Sequence, residues 1–406
     1  MHPSSPSAQL HHDLRRAART ALATRRPVLH RLNADSSWFL QLPRPDSAVR
    51  HGARFYYNIL IDPWLQGGQS DLAAWFSQQW HATPSAVASI AALEELARES
   101  EELAAELQPA RGDGVRKSKS AVASEEGATH TFIDAVAISH EFTDHCHQPT
   151  LLELHPDVPV FATKEAAAQI SSWRHFRTVV PIALFGSGGD TDWRSTSLPP
   201  LPDWLGISRL VHSDDTLNLH SALMIAFNNG HPPQHNHNNH SNTPDPESAE
   251  LLLYTPHGTP PPALHLLPHA SPPLHTLALL HGLHAVRIGS AAGATALRAN
   301  LGAHNGLKAQ RVLKARYWIG THDEVKKGGG VMKWFTQREA VSLGEAVGRE
   351  GQQVEDGEGE EEGCGVGSGG LAQRRSENLQ VGRQVVESFQ GVNWVDLGNG
   401  ESMVLE

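Results

Sequence analysis

A mixed α/β layered fold is the class this sequence predicts, on three observations. Short β-branched and apolar runs alternate loosely with segments of helical periodicity. Strand-like runs occur near both ends of the chain, so the C-terminal segment is expected to rejoin the body. Three apolar runs end in histidine-bearing turns, at 138–147, 254–258 and 317–323. Strand ends gathered on one sheet edge are a common way to build a pocket.

The totals bound the function. At 406 residues the chain has room for one large domain or two ordinary ones. The formal charge of −11 comes in large part from one acidic C-terminal segment. It disfavours general nucleic-acid binding, which needs a basic surface to displace counterions. Cys146 and Cys364 lie far apart in different contexts, so no disulfide framework is implied. No apolar run approaches membrane-spanning length, and no secretory hydrophobic region follows the first methionine. A cytoplasmic protein acting on a small molecule, without nucleic-acid or membrane partners, is the expectation.

In chain order, residues 1–26 carry Arg15, Arg16, Arg19, Arg25 and Arg26 against Asp13 alone. They read as a disordered basic tail, with a short helix or a mitochondrial presequence as the alternatives. A main domain is expected over 27–349. Strands are predicted at 28–32, 37–42 and 55–61, the last stopped by Asp62-Pro63 because proline cannot donate to a ladder. Asp62 at that strand end either orients a ligand or caps the turn. Residues 85–107 predict a helix with Val87, Ile90, Leu93, Leu96 and Leu103 as its apolar stripe. Flexible insertions are expected at 108–129 and 228–248. Between them come strands at 132–138, 158–162, 179–185 and 217–227 and a helix at 164–173. After them, strands are predicted at 251–254, 285–288 and 315–323, and helices at 274–283, 293–302, 307–314 and 334–349. An acidic glycine-rich linker at 350–373 precedes a C-terminal hairpin within 374–406, whose turn signal is Asn399-Gly400.

The stretch from Ile138 to His147 carries the chemistry. His140, Asp144 and His145 stand in the turn after an apolar run, and imidazole with carboxylate suits a borderline cation such as zinc. With 26 histidines in the chain, a histidine-rich turn without metal is the competing reading. Cys146 reads as a small buried residue rather than a reactive thiol. Lys326-Lys327 either meets an anionic substrate or is simply solvated.

Together these features resemble the metallo-β-lactamase fold superfamily. Its hallmark H-x-H-x-D-H appears here as His140-x-Phe142-x-Asp144-His145, with Phe142 in place of the second histidine. By the same resemblance, His220 stands for the third histidine, His257 falls where a bridging aspartate is expected, and His322 matches the last histidine. Asn33 to Trp38 and Leu60 to Trp64 are similar to the opening strands. The resemblance covers most of residues 27–340 and the closing hairpin, and is nearer the lactonase- and phosphodiesterase-like branches than the antibiotic hydrolases. It implies a four-layer αββα sandwich.

The departures shape the expected site. Two-metal sites hold their ions about 3.5–4 Å apart on bridging ligands. A carboxylate can bridge, whereas the two nitrogens of an imidazole point in opposite directions. One ion is therefore expected, zinc first, with Mn2+ or Fe2+ as alternatives, bound mainly by Asp144, His145, His257 and His322. Asp144 is either a loose ligand or a free general base. His140 and His220 are expected to face the ion as substrate-orienting or proton-transferring groups, or to hold a weak second ion. The expected activity is hydrolysis of a small ester, lactone or phosphodiester by metal-activated water. A non-catalytic or oxidoreductase member of the same fold is the alternative.

Overall fold

The computed structural model describes residues 6–51, 53–71, 73–107, 131–215, 217–231, 246–289, 295–356 and 393–406. The insertion expected at 108–129, most of the one at 228–248, most of the acidic linker and Cys364 lie outside them. The first half runs α1 (Pro6–Thr24), β1 (Val28–Arg31), β2 (Trp38–Pro43), α2 (Asp46–Arg50), β3 (Tyr56–Ile61), β4 (Gln78–Trp80) and α3 (Ile90–Leu107). It continues through β5 (Ala135–Ile138), α4 (Gln148–Leu151), β6 (Val160–Ala162), α5 (Lys164–Ser172) and β7 (Val179–Pro181). The second half runs β8 (Ala183–Leu184), β9 (Leu205–Leu210), β10 (Ala222–Phe227), β11 (Ala249–Thr255), β12 (Leu274–His281), β13 (Ala285–Gly289) and β14 (Thr295–Leu301). It ends with α6 (Ala303–Leu313), β15 (Tyr317–Ile319), β16 (Lys327–Gly329), β17 (Thr336–Glu339), α7 (Leu343–Asp356), β18 (Asn393–Val395) and β19 (Ser402–Val404).

Two seven-stranded mixed sheets face each other, in the orders β19-β1-β2-β3-β5-β6-β7 and β18-β15-β12-β11-β10-β9-β8. Side chains alternate between sheet faces with period two. Along β2, Trp38, Leu40 and Leu42 point into the layer between the sheets, while Phe39 points outward. Along β11, Leu252 and Tyr254 point inward, and Leu251 and Leu253 outward. The outward face of the first sheet is covered by α1, α3 and α5 through Leu10, Leu14, Leu93, Leu96 and Ile170. That of the second is covered by α6 and α7 through Leu307, Leu313 and Ala346. This is a four-layer αββα sandwich, the layer order expected from the sequence.

Several sequence expectations are corrected. The basic tail is a docked helix: α1 buries Leu10, Leu14, Ala17, Ala18 and Ala21, a stripe at helical spacing that holds its arginine face outward. The helix expected at 274–283 is instead strand β12, Leu274–His281. It lies between parallel neighbours β11 and β15, buried on both faces, and such a run carries no alternation to tell it from a helix. Residues 295–301 are β14, paired antiparallel with β13. The helix expected at 334–349 begins at Leu343, because Thr336–Glu339 adds to β13 as β17. The strand expected at 179–185 is split, β7 ending the first sheet and β8 the second. The C-terminal strands form no hairpin: β18 pairs with β15 and β19 with β1, so the Asn399-Gly400 turn carries the chain from one sheet to the other.

Candidate metal centre

Strands β3 and β5 are parallel in the first sheet, and β11 and β15 are both parallel to β12 in the second. The turns that follow them bring Asp62, His140 to His145, His257 and His322 together. Two of these turns use left-handed backbone at non-glycine residues, with φ of +42° at Asp62 and +58° at His322. Strain of this kind persists only where surrounding contacts over-determine it. Here the Asp62 amide donates to the Ala137 carbonyl and the His322 amide to the Asp35 carbonyl. Beside His257, Gly258 has φ +88°, and a Cβ there would stand 2.8 Å from the Leu301 side chain. Only glycine lets the β11 turn close this tightly.

His145, His257 and His322 converge, with ring centroids 4.9, 4.9 and 5.0 Å apart. Each has its outer nitrogen held. His145 Nδ1 lies 2.7 Å from Asp62 Oδ2, His257 Nδ1 3.0 Å from Asn300 Oδ1, and His322 Nδ1 3.1 Å from Asp35 Oδ1. A carboxylate or amide oxygen only accepts, so each Nδ1 carries the proton and each Nε2 keeps its lone pair. His145 Nε2 and His257 Nε2 are 3.0 Å apart. Two lone pairs at that distance repel unless an electrophile, a proton or a metal ion, joins them. Nitrogens bound to one tetrahedral zinc, at about 2.0–2.1 Å each, stand about 3.3 Å apart. Asp144 completes the set: Oδ1 is 3.7 Å from His145 Nε2, and Oδ2 is 3.8 Å from His322 Nε2. The donor atoms of Asp144, His145 and His322 all lie within 4.8 Å of one another. Asp144, His145 and His322 fit a divalent cation in donor chemistry and spacing, and His257 joins them through His145.

The electrostatics favour positive charge at His145 and neutral rings at His257 and His322. Burial opposes charge on His145, but Asp144 and Asp62 outweigh it and raise its pKa. Burial and the neighbouring imidazoles hold His257 well below the usual histidine value, and burial lowers His322. Burial also opposes the charge of Asp144, but Lys326 and the imidazoles outweigh it and keep the carboxyl ionised.

The other two sequence candidates behave differently. His140 is buried beside the cluster, its ring centroid 4.7 Å from that of His257. Its Nε2 is 2.9 Å from the Leu219 carbonyl, an acceptor only, and its Nδ1 is 2.8 Å from the Ser139 hydroxyl. Although its ligating atoms lie within 4.8 Å of those of His145 and His257, both nitrogens are engaged away from the ion. Phe142 stacks on that ring at 6.0 Å and fills the place of the missing histidine with an apolar face. His220 lies outside both clusters. Its ring belongs to neither group of converging donors, its amide donates to Asp215 Oδ2, and the segment before β10 is not strand.

Sequence reasoning gave Asp35 no role at the site and left Lys326, with Lys327, either meeting an anionic substrate or solvated. Asp35 orients His322. Lys326 is buried, with Nζ 2.8 Å from both Asp35 Oδ2 and Asp144 Oδ2, whereas Lys327 is exposed. Cys146 is a buried thiol whose pKa burial pushes up, so it packs rather than reacts. Beside the site, β4 and β16 form a ribbon, and in the segments that flank it Trp75 and Trp334 are 72% and 87% exposed. Asp71, near that ribbon, accepts from the Thr143 amide next to Asp144.

No protein-family model and no curated protein matches this sequence. Among solved structures the chain is similar to a possible metal-dependent hydrolase from Veillonella parvula, at 10% identity and TM-score 0.46, covering 94% of this chain and 100% of that one. It is similar to Igni18, a metallo hydrolase from Ignicoccus hospitalis, at 12% and 0.40, covering 94% and 99%. An isothiocyanate hydrolase from Delia radicum gut bacteria gives 11% and 0.41, covering 93% and 99%. Among the described residues no helix is long and apolar enough to cross a membrane.

Proposed function

We propose that the chain is a metal-dependent hydrolase with one divalent ion, zinc first, held by Asp144, His145, His257 and His322. The observation that carries this reading is the convergence of the His145 and His257 Nε2 lone pairs at 3.0 Å while Asp62 and Asn300 fix the opposite nitrogens. A bound ion would supply a water of lowered pKa and a Lewis acid for the substrate oxygen. The chain's own groups do the rest. Asp62 and Asp35 keep two imidazoles in the ligating tautomer. Asp144, ionised and facing two imidazoles, is placed to hold the ion or to take a proton from the attacking water. The substrate class is a small ester, lactone or phosphodiester, and the exposed indoles of Trp75 and Trp334, flanking the neighbouring ribbon, favour one with an apolar part.

Metal content of the purified native chain, with His145→Ala and His322→Ala, tests the reading together with an ester and phosphodiester screen. Stoichiometric metal in the native chain, lost in both variants, is expected with turnover. Full retention in both variants would sink the site. A non-catalytic reading has one observation in its favour, the depth of the cluster: His145 is 0% and His322 6% exposed. A screen that stays silent with zinc, manganese and iron would select it.

A further inference from the structure

We propose, resting on the metal-site reading above, that Lys326 is the centre's built-in second cation. Its ammonium takes the charge position that a second metal ion would fill, and so limits the site to one ion. The side chain is buried, with Nζ 2.8 Å from Asp144 Oδ2, 2.8 Å from Asp35 Oδ2 and 5.4 Å from the Trp64 ring. One ammonium thus joins the carboxylate that faces the ion to the carboxylate that orients His322. In a two-metal centre a shared ligand ties together two cations about 3.5–4 Å apart. Here Asp144 is shared in that way, with Oδ1 toward His145 and Oδ2 claimed by the lysine.

Charge balance points the same way. Asp35, Asp62 and Asp144 contribute three negative charges in direct contact with the imidazoles. Lys326 offsets one, and a single divalent ion offsets the other two. A second divalent ion would leave two uncompensated positive charges in a buried site, which is costly. Among the described residues the other donor group, His140, His145 and His257, is a poor second site, because it shares His145 and His257 with the first ion, both His140 nitrogens are engaged and Phe142 offers no donor. The lysine has a second consequence: it repels the ion that the site does bind, so removing its charge tightens binding.

The test is zinc stoichiometry by elemental mass spectrometry on the stripped and reloaded full chain, with affinity from competition against a chromophoric chelator. The native chain is expected to hold one zinc. K326M is expected to bind zinc at least tenfold more tightly and to show a larger zinc-induced rise in Tm. K326R, which keeps the charge, and K327M, at the exposed neighbour, should stay within threefold of the native affinity. Two tightly held zinc ions in the native chain would overturn the role of Lys326 and leave the metal reading standing. So would unchanged or weaker binding in a K326M chain that keeps its native circular dichroism. No zinc in the native chain would overturn the metal reading itself, and this inference with it. The native stoichiometry needs no variant, so the inference stays falsifiable if K326M does not fold.

Discussion

Replacing Asp62 by asparagine tests the orientation of His145. Asp62 Oδ1 accepts from the Ser139 amide at 2.8 Å, and Oδ2 faces both His145 Nδ1 and the Ser139 hydroxyl. Asparagine has the same shape, but one of its terminal atoms is an NH2. The Ser139 backbone N–H can only donate, so it selects the carboxamide oxygen. Reversing the amide would leave that buried N–H facing a second donor, at a cost of about 1–3 kcal/mol. The NH2 group is therefore turned toward His145 Nδ1, which must become an acceptor. The ring proton then moves to Nε2, the atom that faces His257 and Asp144, and the lone pair that would bind the ion is lost. Loss of such an outer partner typically costs about 10–100-fold in metal affinity, or about 1.4–2.7 kcal/mol. The upper part of that range is expected, because His145 belongs to both groups of converging donors. Chelator competition measures the affinity, and circular dichroism checks that the fold is retained. Zinc affinity within twofold of native in a folded Asp62→Asn chain would refute the tautomer reasoning.

Three further outcomes are expected. His220→Ala should leave zinc affinity within twofold of native, because the ring lies outside the centre, and a tenfold loss would restore it to the ligand set. Leu14→Ala should cost about 2–5 kcal/mol in a denaturant titration, since this α1 side chain is fully buried against the first sheet's helices; a change below about 0.5 kcal/mol would mean that α1 is an undocked tail. His30 is buried between Ser402 Oγ and Gln41 Oε1, and burial lowers its pKa from 6.5 to about 4. The unfolded chain therefore takes up this proton first, so stability present above pH 6.5 is lost as pH falls toward 4, by about 3 kcal/mol. His30→Gln should remove that slope from denaturant midpoints measured across the window, and an unchanged slope would assign it to other groups.

The parts of the fold legible in the chain were those where one face meets another kind of environment. The α3 stripe of Ile90, Leu93 and Leu96 stood out because the opposite face is glutamate-rich, and those residues are buried together with Val87 just before the helix. Strand β12 was illegible for the opposite reason. Leu279 faces the outer helices while Ala278 and Leu280 face the other sheet, so a central parallel strand is apolar on both sides and shows no period. The Asn399-Gly400 turn misled because a turn signal reports local backbone preference and not the partners of its flanking strands. Those partners, β15 and β1, are set by which sheet still had an open edge.

At the site, residue type announced the ligands, since a histidine at the end of an apolar run is conspicuous. It could not announce which nitrogen is free. His140 and His145 are five residues apart in one turn, yet a backbone carbonyl from Leu219 claims one ring and the Asp62 carboxylate frees the other. Lys326 and Asp35 were illegible because a lysine in a polar stretch and an aspartate in a turn are ordinary on any surface. Their meaning comes from a contact across 287 residues, between His322 and Asp35, which places Asp35, Asp144 and the lysine in one buried cluster. Three carboxylates cannot stay ionised together out of water without compensating positive charge. One ammonium is too little for them, and the remaining two negative charges add to the converging lone pairs of His145 and His257 as a reason to expect a divalent ion among these imidazoles.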